Sequence, residues 1–235
     1  MKVWRIPTAI ALAAIFWCCN LDDGADTGLL IFTGDYDFNE GQYDWAAGFA
    51  DYPSSFEDSS KFELKSAYTE PIDSKLTKRS VMLSGKNVNR DLFMYIKKEV
   101  SGLKPNTDYT LTFSVELASD LNAATTVSGG SVFLKAGAAG SEPKSVIDAG
   151  TYVMNIDKGN QNSAGQDMVL LGDILAENYN AGYAMVTRTN TMSNSRYTAR
   201  TNSNGELWLI VGTDSSLEGT TKVFYTRIKV VFSAS

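Results

Sequence analysis

The chain has 235 residues, with 21 basic and 27 acidic side chains, no histidine and two cysteines. The missing imidazole excludes Ser-His-Asp and Cys-His catalysis and any histidine metal ligand. The net charge is 21 − 27 = −6, and removing residues 1–18, with Lys2 and Arg5, makes it −8, which lacks the electrostatic footprint of a nucleic-acid binder.

Lys2 and Arg5 form a positive n-region, and Ile6 to Trp17 is a nearly unbroken apolar run ending at Cys18 and Cys19. The run is shorter than the about 20 residues that span a bilayer, so it reads as a targeting segment rather than part of the fold. A cysteine at the end of such a run resembles the lipobox of bacterial lipoproteins. The small residue before Cys19 favours it over Cys18, which follows Trp17; an ordinary secreted protein whose signal ends in two cysteines is the other reading. The resemblance implies a signal peptide at 1–18, a lipid anchor and acidic tether at 19–27, and a body at 28–235. It also implies membrane attachment by the lipid alone, at the bacterial outer membrane. Asp22 and Asp23 resemble the acidic export signal of surface lipoproteins in the Bacteroidetes lineage.

The body divides into short strands. Tyr43–Tyr52, Phe62–Tyr68, Val81–Leu83 and Leu92–Val100 come first. Tyr109–Leu117 is the clearest: Leu111, Phe113, Val115 and Leu117 alternate with Thr110, Thr112, Ser114 and Glu116, the period of a half-buried strand. Val132–Lys135 and Tyr152–Ile156 follow, then a short helix at Met168–Ala176, then a strand at Arg196–Thr201. Leu207–Val211 is apolar on both faces and therefore central. In Phe224–Phe232, the residues Phe224, Ile228, Val230 and Phe232 are expected inward, with Tyr225, Arg227, Lys229 and Val231 outward. Turn residues separate the strands, as in Asn202-Ser203-Asn204-Gly205. The expectation is an all-β, single jelly-roll-like antiparallel β-sandwich of about ten strands.

The segment Ser80–Leu117, with the corner Gly102-Leu103-Lys104-Pro105-Asn106-Thr107-Asp108-Tyr109, resembles jelly-roll carbohydrate-binding modules of the galactose-binding-like fold. Asp37-Phe38-Asn39-Glu40-Gly41 with Trp45 resembles the opening of such modules. In the corner, Tyr109 is expected to return its hydroxyl to the backbone. The C-terminal half, at Asn155–Gln161 and Gly205–Asp214, is similar to uncharacterised bacterial secreted proteins and implies no function.

Sugar binding needs exposed aromatics beside polar groups. Trp45, Phe49, Tyr52 and Phe56 cluster near the N-terminus; Tyr95 has Asn87, Asn89, Arg90 and Asp91 just before it. Trp45, Tyr52, Asn87, Arg90 and Tyr95 are therefore the candidate ligand-binding residues, with core packing as the competing reading for Trp45; Trp208 reads as core. Acidic loops offer oxygen ligands to a structural calcium. The candidates are Asp35, Asp37, Asp214 and Glu218, with the Asp157–Asp167 loop as another; plain turn chemistry explains the same residues. No strand carries the alternating acids of jelly-roll glucanases, so no enzyme is expected. The function expected is a non-catalytic binding module with a polysaccharide partner. The alternative is a structural or protein-interaction lipoprotein that holds another envelope protein.

Overall fold

The computed structural model describes residues 31–69, 78–122, 131–176, 182–191 and 196–234. The proposed signal, Cys18, Cys19 and the tether lie outside the described residues. Among those described, no helix is long and apolar enough to cross a membrane.

Among the described residues, fifteen strands carry the fold, all paired antiparallel. In chain order they are β1 (Ile31–Asp37), β2 (Ala46–Ala50), β3 (Tyr52–Pro53), β4 (Lys65–Thr69), β5 (Ser80–Asn87), β6 (Phe93–Val100), β7 (Asp108–Ser119), β8 (Val132–Ala139), β9 (Ser145–Asp148), β10 (Thr151–Met154), β11 (Met168–Asp173), β12 (Ala184–Thr189), β13 (Tyr197–Arg200), β14 (Leu207–Ser215) and β15 (Gly219–Ala234). One helical turn, α1 (Phe56–Ser59), runs into a 3-10 turn at Ser60–Phe62.

Two sheets form the sandwich. The larger has seven strands, in the order β12-β7-β15-β5-β4, with β1 also on β15 and β13 also on β7. The smaller has the order β11-β8-β14-β6-β2. Between them, Leu111, Phe113, Val115 and Leu117 of β7 meet Leu207, Leu209 and Val211 of β14, all fully buried. The alternation in β7 thus marks its core face. β14 lies between β8 and β6, and its other face carries buried Ile210, as a strand apolar on both sides should.

Two sequence expectations are corrected. Met168–Ala176 is not a helix: Met168–Asp173 is strand β11 on β8, with a bulge between Leu170 and Gly172. Its apolar run reflects burial on two faces, Met168 on one and Val169 and Leu171 on the other; periodicity cannot separate that from a helical turn. In β15 the facing of Phe224 and Tyr225 is reversed. The register against β7 shifts between Tyr225 and Arg227, so Val223 and Tyr225 point into the main core, as do Ile228, Val230 and Phe232. Phe224 packs instead on the opposite face with Ala118, Met82 and Tyr183. One extra residue in a strand moves every side chain beyond it to the other face.

The tyrosine corner forms as expected: the Lys104 backbone N–H donates to the Tyr109 hydroxyl at 3.0 Å. The facing turn needs its glycine. Gly205 has φ +74°, and a Cβ there would collide with the Leu103 carbonyl oxygen.

β9 and β10 belong to a strap, residues 140–167, that crosses the outer face of the five-stranded sheet, and with β3 they form a third, small sheet of order β3-β10-β9. Beneath it the Phe93 and Tyr95 rings stack at 5.5 Å. They lie flat because the adjoining strands offer no side chain there: a Cβ at Gly48 would strike the Tyr95 ring, and one at Gly212 the Phe93 ring. Met154 and Ile156 of the strap close over this layer, against Ala50, Met168 and Ile210.

Candidate functional site

Under the strap lies a buried ionic clasp. Lys135 of β8 and Asp214 of β14 both have fully buried side chains, with Nζ 3.1 Å from Oδ2. The Lys135 ammonium also donates to the carbonyls of Lys158, at 2.9 Å, and Asn160. Lys158 returns from the strap to Asp214 Oδ2 at 2.7 Å and Asp51 Oδ2 at 2.9 Å. Its Nζ stands 5.1 Å from the centre of the Phe93 ring. Two ammonium groups thus serve two buried carboxylates and two strap carbonyls. Burial pushes the Lys135 pKa down against the pull of Asp214. Burial also opposes the charge on Lys158, but Asp214 and Asp51 outweigh it and its pKa lies above the ordinary value. Burial holds the Asp51 carboxyl above the usual range, with Lys158 pulling the other way.

The clasp positions an aromatic cleft at the edge of the strap. Asp51 adopts a left-handed conformation, φ +63°, which turns the chain from β2 into β3. Its backbone N–H donates to the Tyr152 carbonyl. β3 then pairs with β10, setting Tyr52 opposite Tyr152. The β9–β10 turn at Ala149 and Gly150 has both residues at positive φ, the twist that suits a two-residue hairpin. The Gly150 carbonyl accepts from the Ser54 backbone N–H at 2.9 Å and its hydroxyl at 3.0 Å.

The two tyrosine rings lie 4.9 Å apart, tilted by 33°, and the Tyr52 ring rests on buried Phe62 at 5.6 Å. Opposite them, the chain leaves α1 through Ser59 and Ser60 and turns at Glu63, which is left-handed at φ +49°. Leu64 and Lys65 then return along the wall. Together these residues line an open cleft of about 450 Å³, within the size range of small-ligand sites. Burial, with the neighbouring Tyr152 and Tyr95, raises the Tyr52 pKa, so its phenol stays neutral and can donate or accept. Glu63 stands 3.7 Å from Lys86.

The five residues proposed from sequence as ligand-binding do not converge. Tyr52 is half-buried in the cleft. Trp45 is a core residue, 1% exposed, edge-on to Tyr36 at 5.5 Å and Phe38 at 6.2 Å. Tyr95 is 2% exposed, covered by Met154 and Ile156 of the strap. Asn87 is buried and fully engaged: its amide donates to Ser215 and Leu217 carbonyls at 2.7 and 3.0 Å, and its oxygen accepts from the Asp91 backbone N–H. Arg90 is exposed, with Nε donating to the Ser216 carbonyl at 3.3 Å. Sequence reasoning passed over Tyr152, because a tyrosine that opens a short strand looks the same whether it faces core or cleft. Trp208, expected in the core, is half-buried on the outer face beside a smaller groove of about 330 Å³. Lys97 caps its ring at 5.6 Å and is itself held by Glu142 at 2.7 Å.

The calcium candidates do not form one donor set. Asp35 makes a two-point ion pair with Arg227, at 2.8 and 2.7 Å, whose hydrogen bond lowers its pKa. Asp37 accepts from the Asn39 backbone N–H at 3.0 Å. Glu218 is exposed on the β14–β15 turn, about 30 Å along β15 from the partner of Asp37 at the usual rise per residue. Asp214 belongs to the clasp. Carboxylate oxygens of Asp51, Asp91 and Asp214 do lie within 4.8 Å of one another, but the Lys158 ammonium already bridges two of the three. In the Asp157–Asp167 loop, the Asp157 carboxylate accepts from the Gly159 and Gln166 backbone N–H groups, each at 3.0 Å. That is turn chemistry.

No protein-family model matches the chain, and no curated protein matches it. Distant likenesses exist among solved structures. A putative sugar-binding protein from Bacteroides thetaiotaomicron is 8% identical over 81% of this chain and 90% of its own, with a TM-score of 0.38. The mannan-recognising carbohydrate-binding module TmCBM27 is 12% identical over 86% and 97%, with a TM-score of 0.37. The enzymatically active domain of tailspike protein 4 from bacteriophage CBA120 is 10% identical, with a TM-score of 0.34; the match covers 79% of this chain and 19% of the tailspike chain. At these values the likeness decides nothing about this chain, and the fold stands on its own strand pairing.

Proposed function

We propose that this chain is a non-catalytic binding module of a bacterial envelope lipoprotein and that its ligand is a glycan. The observation that supports this is the cleft: two half-buried tyrosine rings on one wall, with serine hydroxyls, a carboxylate and an ammonium facing them. Sugars present both chemistries, flat C–H faces for aromatic rings and hydroxyls for paired polar groups. Lys65 has no ion-pair partner among the described residues, which leaves it available to a ligand.

Affinity electrophoresis of the full-length protein through gels holding galactomannan, xylan, β-1,4-galactan or polygalacturonate tests this. At least one polymer should retard it, and Tyr152→Ala should weaken that retention about tenfold, or about 1.4 kcal/mol. A wild type that no gel retards would remove the glycan reading and leave the protein-interaction alternative, and equal retardation of wild type and variant would remove the cleft as the glycan site.

The membrane attachment has its own check. Cys19→Ala should abolish incorporation of labelled palmitate in cells. Undiminished labelling would assign the anchor to Cys18, and no labelling of the wild type would make this an ordinary secreted protein.

A further inference from the structure

Phe56 is the most exposed large apolar side chain among the described residues, at 88%. Its ring makes no aromatic or cation contact there. Leaving a phenylalanine in water forgoes about 1.5–3 kcal/mol of burial, so the position invites a reason. Its place on the backbone supplies one. The helical conformation runs from Phe56 through Ser59 and into Ser60, with Ser59 at φ −63° and Ser60 at φ −61°. Residues three and four apart on such a turn share a face. Ser59 and Ser60 line the cleft and Phe56 does not, so the spacing sets Phe56 on their face of the turn, just outside the lining. The turn is fixed in place: the Ser55 hydroxyl caps it by accepting from the Asp58 backbone N–H, and Ser59 donates to the Phe56 carbonyl.

We infer that Phe56 is a second aromatic platform for the ligand of this cleft, and that the ligand is an internal stretch of a glycan chain rather than a single terminal sugar. A terminal sugar seated on Tyr52 and Tyr152 would leave the rim ring unused. A chain leaving the open cleft past α1 covers it. The inference rests on the glycan reading above and adds the length of the ligand and a residue to its site.

The test uses the same four gels, with di- to hexasaccharide digests of each polymer as competitors. Phe56→Ala should weaken retention about fivefold, Phe56→Trp should restore it, and hexasaccharide should compete at least fivefold better than disaccharide. The ring is exposed, so circular dichroism and urea melting should be unchanged in both variants. If Tyr152→Ala loses retention while Phe56→Ala matches wild type, or if disaccharide competes as well as hexasaccharide, the rim platform is wrong and the cleft reading stands. If no polymer retards the wild type, both fall together.

Discussion

Lys135→Met should lower the unfolding free energy by about 3 kcal/mol, seen as a lower urea midpoint at unchanged slope. The side chain is fully buried, and its ammonium serves three acceptors: Asp214 Oδ2 and the carbonyls of Lys158 and Asn160. Methionine fills similar space but donates nothing. Asp214 keeps Lys158, which holds the loss toward the lower end of what breaking a buried pair costs. The two strap carbonyls lose their donor, and a buried acceptor left unpaired costs about 1–3 kcal/mol. Adding Asp214→Leu removes the other partner, so the double variant should cost at least 1 kcal/mol less than the two single losses summed. Lys86→Met is the control: its ion pair with Glu63 is half-exposed at 3.7 Å, and the change should stay within about 0.5 kcal/mol. A Lys135 variant that melts like the Lys86 variant would mean that the clasp does not hold the strap.

Trp45→Ala should be destabilising by about 3–5 kcal/mol, the range for removing a large buried aromatic. Its ring is closed in by Tyr36 and Phe38 and belongs to the main core. The indole Nε1 is buried with no hydrogen-bond partner among the described residues. Trp45→Phe therefore gives up an unpaired N–H and some volume but keeps a ring, and should cost of order 1 kcal/mol. Thermal and urea melts of the two variants decide the matter. A stable Trp45→Ala protein that had lost polymer retention would return this residue to the role of a sugar platform.

How far the sequence could be read depended on what each residue had to distinguish. β7 was legible because its four apolar residues alternate cleanly with Thr, Ser and Glu, and one face meets the core while the other does not. The last strand misled at one point only. Thr226 interrupts the alternation, and a bulge of one residue leaves no compositional mark. The strap was the larger loss. Val146, Ile147, Val153, Met154 and Ile156 gave a weak apolar pattern, because the strap covers a sheet face without itself entering the main core. That cover turned Tyr95 from a candidate ligand contact into an interior residue; Asn87 was buried separately, by the β14–β15 turn whose carbonyls it binds. The clasp did leave a signal: Lys135 follows Phe133 and Leu134 in an apolar strand and precedes Ala136. A lone lysine in that setting needs a buried partner, but nothing in the sequence named Asp214, 79 positions away, as that partner.

The register of β1 on β15 sets the order in which the molecule can assemble. Ile31 lies opposite Ser233, and Asp37 opposite Arg227, so the first and last strands described are neighbours. β15 also carries β5 and β7. During synthesis, the strands from β1 to β14 emerge without the template that joins three of them. The seven-stranded sheet cannot close until residues 219–234 have left the ribosome. Contacts that join distant parts of a chain form slowly, and unpaired strand edges persist meanwhile. Until β15 has emerged, the strands it joins therefore remain open to capture by chaperones.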